Sequence, residues 1–249
     1  MSPRLVVVAA AILLCCCPFL GQGLAQQQRV PRAGLTTCQL AQLQGYLCAE
    51  HWTTTADGFG INIQRIANAS GFSKDGRLIP VVLQHGFLDT SATWVLNQAH
   101  QSLAFILADS GYDVWLPNSR GNGYSMNSTR FNPGQDAFWA WNFDQMALYD
   151  VPATVSYVQY ITGRPKGATI SIGAFSKLPS LASGISVFVA LAPVTYTAHQ
   201  RIACPTYVFY GTQDYLADPQ DVATLTAALR ASGNYLGSTS LEGYAHMGS

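Results

Sequence analysis

Asp214 and His246 are the residues of this 249-residue chain whose types and order point most directly to chemistry. An aspartate that accepts a hydrogen bond from a histidine orients the ring and stabilises its imidazolium. The histidine then works as general base and general acid in acyl transfer. Such a pair also needs a backbone donor to hold the charge that develops on an attacked carbonyl. Phe87 can supply one. The apolar run Pro80 to Leu83 reads as a buried strand, and His85-Gly86 turns it sharply, leaving the Phe87 N–H above the strand's end. Each feature has a plainer alternative. An Asp after Gly211-Thr212-Gln213 is commonly a turn residue, a His near a chain end is by default a surface group, and His-Gly alone merely ends a strand. Their joint order and their strand-end placement favour the chemical reading.

Placing these groups together requires a mostly parallel sheet. Trp52 to Ala56 and Phe59 to Ile66 read as strands of a hairpin turning at Asp57-Gly58. Leu96 to Asp109 has helical spacing and is stopped by Gly111; Tyr112 to Leu116 then follows as a second buried strand. Strand, helix and strand in that order make a βαβ unit. Asp144 is a candidate N-cap for Gln145 to Tyr149, and Asp150 for Val151 to Ile161, with Pro152 tolerated in the first turn. Gly167 to Phe175 reads as a weak helix. Ile185 to Leu191 and Thr206 to Tyr210 are further buried strands, and Asp218 opens a helix reaching Ala231. A last strand spans Tyr235 to Glu242. Asp214 and His246 each stand just past the carboxyl end of a strand, where the groups of an open α/β sheet converge.

Composition excludes some functions. Lys+Arg and Asp+Glu both number 13, so no net field draws the chain to nucleic acid or to an anionic membrane. Met1 to Ala25 reads as a secretory leader, with Arg4, an apolar stretch and a small-residue end at Gly23-Leu24-Ala25. Residues 26–249 are left as one domain, without a permanent membrane anchor. They hold Cys38, Cys48 and Cys204; a Cys38–Cys48 disulfide would leave Cys204 free. Asn68 and Asn127 begin glycosylation triplets. The expected route is secretory, ending outside the cell or in a lysosome or vacuole.

Several stretches together resemble the acid lipases, the gastric and lysosomal type with many plant relatives. They are Gly45 to His51, Thr55-Ala56-Asp57-Gly58, Gln84 to Leu88, Gly111 to Asn122, Tyr149 to Ala153, Gly211 to Asp218 and Tyr244 to Met247. The resemblance implies an α/β-hydrolase fold and cleavage of carboxylic esters of neutral lipids by a Ser-Asp-His triad, without metal or organic cofactor. It implies that Asp214 and His246 are the acid and base and that the Phe87 N–H is an oxyanion donor.

The triad's nucleophile is missing. No Gly-x-Ser-x-Gly occurs in the chain. In the family, a strand and a Gly-His-Ser-Gln-Gly elbow separate the Thr-Gly that ends the second helix from an Ala-Phe-Ser helix. Here Thr162-Gly163-Arg164-Pro165-Lys166 runs directly into Gly167, and Ala174-Phe175-Ser176 follows. Ser171 is the nearest substitute, but Thr169 is β-branched and no strand feeds the turn, so it is disfavoured as a nucleophile. The family's lid also shrinks to Tyr196 to Ala203, and the chain stops soon after His246. The expectation is a hydrolase frame lacking its nucleophile strand and most of its cap, inactive in this form. The alternative is a non-catalytic secreted lipid-binding relic or a splice or gene-model variant. Without that strand, its neighbours must pair directly or leave backbone groups unpaired.

Overall fold

The computed structural model describes residues 5–10, 34–72, 78–86, 88–163, 185–191, 202–214 and 217–244. They build one nine-stranded sheet with helices against it. The strands are β1 (Leu5–Ala10), β2 (Leu47–Thr54), β3 (Phe59–Ala67), β4 (Ile79–Gln84), β5 (Tyr112–Pro117), β6 (Asn127–Ser128), β7 (Ile185–Leu191), β8 (Thr206–Gly211) and β9 (Tyr235–Leu241). The main order is β2-β3-β5-β4-β1-β7-β8-β9, with β6 pairing at the start of β3. From β5 to β9 the six neighbouring strands run parallel, so their carboxyl ends share one edge. The β2–β3 hairpin is added antiparallel.

The buried strands follow from composition. Val81, Val82 and Leu83 of β4 and Val114, Trp115 and Leu116 of β5 are wholly buried, as strands covered on both faces must be. On one face, Leu40, Ala41, Phe105 and Ala108 from helices α1 (Thr37–Leu43) and α2 (Leu103–Asp109) pack on Val81, Leu83, Val114 and Leu116. On the other, Val151, Val155 and Val158 cover Ile61, Ile63, Val82 and Trp115. The Cys38–Cys48 disulfide ties α1 to β2.

The most consequential difference from the sequence reading concerns the sheet's centre. Leu5–Ala10, set aside above as leader, is strand β1, parallel to β4 on one side and to β7 on the other. The neighbours of the missing strand therefore neither pair directly nor stand empty. The slot is filled from the other end of the chain.

Three smaller corrections concern the helices. The region expected to be one helix from Leu96 holds a short 3-10 turn at Ala99–Gln101, with another at Ser91–Val95 just before it, and α2 begins only at Leu103. Asp150 is not a cap: it is helical itself (φ −66°, ψ −47°) and makes no side-chain capping bond. Helices α3 (Asp136–Trp139) and α4 (Phe143–Gln145) precede a π-helical turn at Met146–Asp150, which runs directly into α5 (Val151–Thr162). Asn142, not Asp144, caps α4. Pro152 has no N–H and its ring crowds the carbonyl four residues back; the wide turn, with the Val151 N–H reaching the Met146 carbonyl, makes room for it. Helix α6 (Pro219–Ala231) is capped by Asp218 as expected, its carboxylate accepting from the Gln220 N–H at 2.7 Å. The weak helix expected at Gly167 to Phe175 lies outside the described residues.

Candidate active site

The carboxyl edge of the parallel strands gathers the loops that matter. After β8 the chain turns at Thr212-Gln213 and delivers Asp214, which is 2% exposed and accepts the Ala217 N–H at 2.8 Å. The turn after β9 lies directly against it. The Thr212 N–H donates to the Leu241 carbonyl (3.1 Å), the Gln213 N–H to the Tyr244 carbonyl (3.0 Å), and the Gly243 N–H to the Thr212 hydroxyl (3.0 Å). The approach is so close that a Cβ on Gly211 would run into the Tyr244 carbonyl, so glycine is required there. Asp214 and the backbone that leads to His246 are thus laced into one corner. His246, Phe87 and Ser171 lie outside the described residues.

The β4 loop is held from beneath by a histidine with a fixed role. His85 is 7% exposed; its Nδ1 lies 2.7 Å from the Gly86 carbonyl, and its Nε2 accepts the Ser119 N–H at 3.0 Å. The Asn122 amide also reaches Nε2, at 3.2 Å. These partners assign the proton to Nδ1 and leave Nε2 as acceptor. Burial lowers the His85 pKa from the usual histidine range, outweighing the opposing pull of the Gly86 carbonyl and Asp89. A neutral His85 therefore clamps the loop after β4 to the loop after β5. Gln84 adds a second tie, donating to the Ser119 hydroxyl at 3.0 Å. Just beyond Phe87, Leu88 is 91% exposed with φ +62°, a left-handed backbone that non-glycine residues seldom adopt and that clusters at functional loops.

The loop after β5 has its own anchor, which sequence reasoning missed. Arg120 is buried over the Phe59 ring and donates to two carboxylates: Nε to Asp150 (2.7 Å), Nη1 to Asp57 (2.7 Å) and Nη2 to Asp57 (2.9 Å). Asp150 also accepts the Arg120 backbone N–H at 3.1 Å. This explains why Asp150 abandons the capping role: charge-assisted bonds to a buried guanidinium outrank a neutral cap. Burial works against the charge on Asp57, yet Arg120 and Thr55 hold its pKa below the usual carboxylate range. For Arg120, burial likewise lowers and the two carboxylates raise, with the net upward. A signal was available. Asp57, Arg120 and Asp150 each stand inside one of the motif stretches quoted above, in a chain only 10% charged.

Beneath these loops, a neutral polar network replaces apolar core. The Asn118 amide donates to Gln64 (2.8 Å), Asn118 Oδ1 accepts the Ser91 N–H (3.0 Å), and the Ser125 hydroxyl donates to the Asn118 carbonyl (3.0 Å). Gln64 donates in turn to Asn62. The result is a hydrogen-bonded polar platform beneath the loops that follow β4 and β5.

Comparison with known proteins decides the lineage. Residues 37–98 match the family model described as a partial alpha/beta-hydrolase lipase region. Over 194 residues the chain is 40% identical to rat (Rattus norvegicus) gastric triacylglycerol lipase, an alignment covering 72% of this chain and 49% of that protein. Over 177 residues it is 39% identical to human lysosomal acid lipase/cholesteryl ester hydrolase, covering 68% and 44%. The chain belongs to the acid lipase family. It spans about half the length of the curated relatives it matches. A putative alpha/beta hydrolase from Agrobacterium tumefaciens superposes with a TM-score of 0.57 at 18% identity, covering 80% of this chain and 87% of that one. That likeness concerns the fold: this acid lipase relative has the α/β-hydrolase fold.

Proposed function

We propose that this acid lipase homologue keeps the hydrolase frame for a neutral lipid or ester but cannot turn one over. One observation carries the reading: the strand at the centre of the sheet brings no serine. A nucleophile elbow places its serine on the turn that immediately follows a central strand. The strand beside the β4 oxyanion loop here is β1, and the sequence holds no serine between Ser2 and Ser70. Helix α5 ends at Gly163, and β7, the next described strand in sequence, is separated from β4 by β1.

In this reading Asp214 and His246 hold the positions of the acid and base, and the Phe87 N–H that of an oxyanion donor. Without an attacking oxygen no acyl-enzyme forms. Loss of the nucleophile from a working triad costs about 10⁶ in turnover in a well-studied protease. The partner is an apolar ester that the frame can hold; nucleic acid and a permanent membrane anchor form no part of the reading. The leader-like N-terminus, the disulfide and the triplets at Asn68 and Asn127 support a secretory route, ending outside the cell or in a lysosome or vacuole.

The test is hydrolysis of a short-chain fluorogenic ester by the purified chain. The expected rate matches buffer alone. Saturable turnover abolished by Asp214→Asn would show that a triad operates and that the reading is wrong.

A further inference from the structure

Given the secretory route proposed above, on which this inference rests, we propose that Asn127 carries an N-linked glycan whose first sugar lies on the indole of Trp52. It covers the exposed corner where the hairpin edge of the sheet meets β6. Three strands set that corner. Gly60 of β3 stands opposite Thr54 of β2 on one side and Asn127 of β6 on the other, and Trp52 stands opposite Asn62, two residues along the same face. A Cβ on Gly60 would lie 3.2 Å from the Asn127 Cβ and 3.6 Å from Trp52 Cζ3, so the two side chains border one notch that the glycine leaves open. Trp52 is 48% exposed there, on the outermost strand of the sheet.

Attachment is a transfer to the side-chain amide of Asn127-Ser128-Thr129. A bond forms between Asn127 Nδ2 and the anomeric carbon of an N-acetylglucosamine. The bond from that carbon to the diphosphate of a lipid-linked oligosaccharide donor breaks, and Nδ2 gives up one proton. The fold must then house the product. Asn127 can do so: it is exposed, its side chain makes no hydrogen bond among the described residues, and pairing with Phe59 and Gly60 fixes the backbone of β6. Thr129 steadies the far end, its N–H and its hydroxyl donating to the Gly58 carbonyl at 2.8 and 3.2 Å. Asn68 is a poorer host, since its amide already donates to the Ala108 carbonyl (3.1 Å) and its Oδ1 accepts the Ser70 N–H (3.0 Å). At Asn127 the sugar also meets an aromatic face. A pyranose presents C–H groups on one side; setting them against the negative face of an indole, with apolar area removed from water, favours stacking. The same glycan shields a half-exposed tryptophan on an edge strand, a surface that otherwise invites association.

Expression of the full chain in a eukaryotic secretory host, followed by peptide N-glycosidase treatment and peptide mapping, tests the modification: Asn127 should be read as aspartate after treatment. Hydroxyl-radical footprinting before and after glycan removal tests where the sugar lies. Trp52 oxidation should rise about twofold on removal, because the sugar covers one of the two ring faces. Trp139 is the control: it is 46% exposed but sits on the Phe59 side of the sheet, through Phe138, and should not change. Asn127→Gln should match the deglycosylated chain at Trp52 while keeping the parent's circular dichroism. A chain recovered from the lumen or the medium with Asn127 bare would overturn the modification and leave the secretory route standing. Equal Trp52 oxidation with and without the glycan would overturn the stacking. A chain that never reaches the lumen would overturn the route and the modification together.

Discussion

Replacing Arg120 by methionine tests whether the buried ion cluster holds up the loops of the site. Methionine keeps the apolar stem over Phe59 but removes the guanidinium donors to Asp57 and Asp150, leaving only the backbone N–H of residue 120 on Asp150 and the Thr55 hydroxyl on Asp57. The Arg120 side chain is fully buried, and its partners are 22% and 7% exposed, so water cannot easily replace the lost bonds. Removing one partner of a buried ionic group costs about 3–5 kcal/mol, because the remaining charges stay buried. In a domain of this size, 1 kcal/mol moves the melting temperature by roughly 2–4 °C, so Arg120→Met should lower it by roughly 6–20 °C. Circular dichroism melts and urea titrations read this directly. Asp150→Asn added to Arg120→Met should recover part of the loss, since it neutralises a stranded carboxylate. The expected coupling is about 1–3 kcal/mol. A single variant within about 1 kcal/mol of the parent, or strictly additive effects, would refute the view of the cluster as an anchor.

Further outcomes follow from the same geometry. His85 and His51 both have pKa values lowered chiefly by burial, so folding disfavours their protonation. Their neutral forms contribute stability that is complete above the unfolded value near 6.5 and is lost as pH falls through the lower folded values. Each contributes a slope of at most about 1.36 kcal/mol per pH unit. Melts between pH 7.5 and 5 should show that decline, and His85→Asn should reduce it. Gly211→Ala should push the Tyr244 carbonyl away and loosen the β8–β9 corner, at a cost of about 1–3 kcal/mol, with faster amide exchange at Gln213 as the local readout. Cys204 is buried, and its thiol pKa is pushed up to about 12 by desolvation, which a bond to Thr206 only partly offsets. Mapped alkylation should find it unreactive until the chain is unfolded.

Much of the frame was legible because parallel strands announce themselves. Apolar runs such as Val81 to Leu83 and Val114 to Leu116, each ended by turn formers, give strand positions within a residue or two. The position of Asp214 just past β8 was legible from the apolar run before it; its chemical role is not tested by that position. The remainder depended on contacts that no local pattern contains. Nothing near Asp150 says that its carboxylate prefers Arg120, 30 residues away, to the helix that it begins. His85 reads as part of a strand-ending turn until Ser119 and Asn122 are seen at its ring. The pairing of Leu5–Ala10 was hidden for a different reason: an apolar run suits a leader and a strand alike, and its register with β4 and β7 is written in no local pattern.

The central claim, a hydrolase frame without an attacking oxygen, is tested most directly by a serine-directed fluorophosphonate and intact mass on the folded chain. The account predicts no adduct on soluble protein at probe concentrations that label an active lipase completely. A single stoichiometric adduct, mapped to Ser171 and abolished by Ser171→Ala, would contradict it and show that an activated serine exists after all.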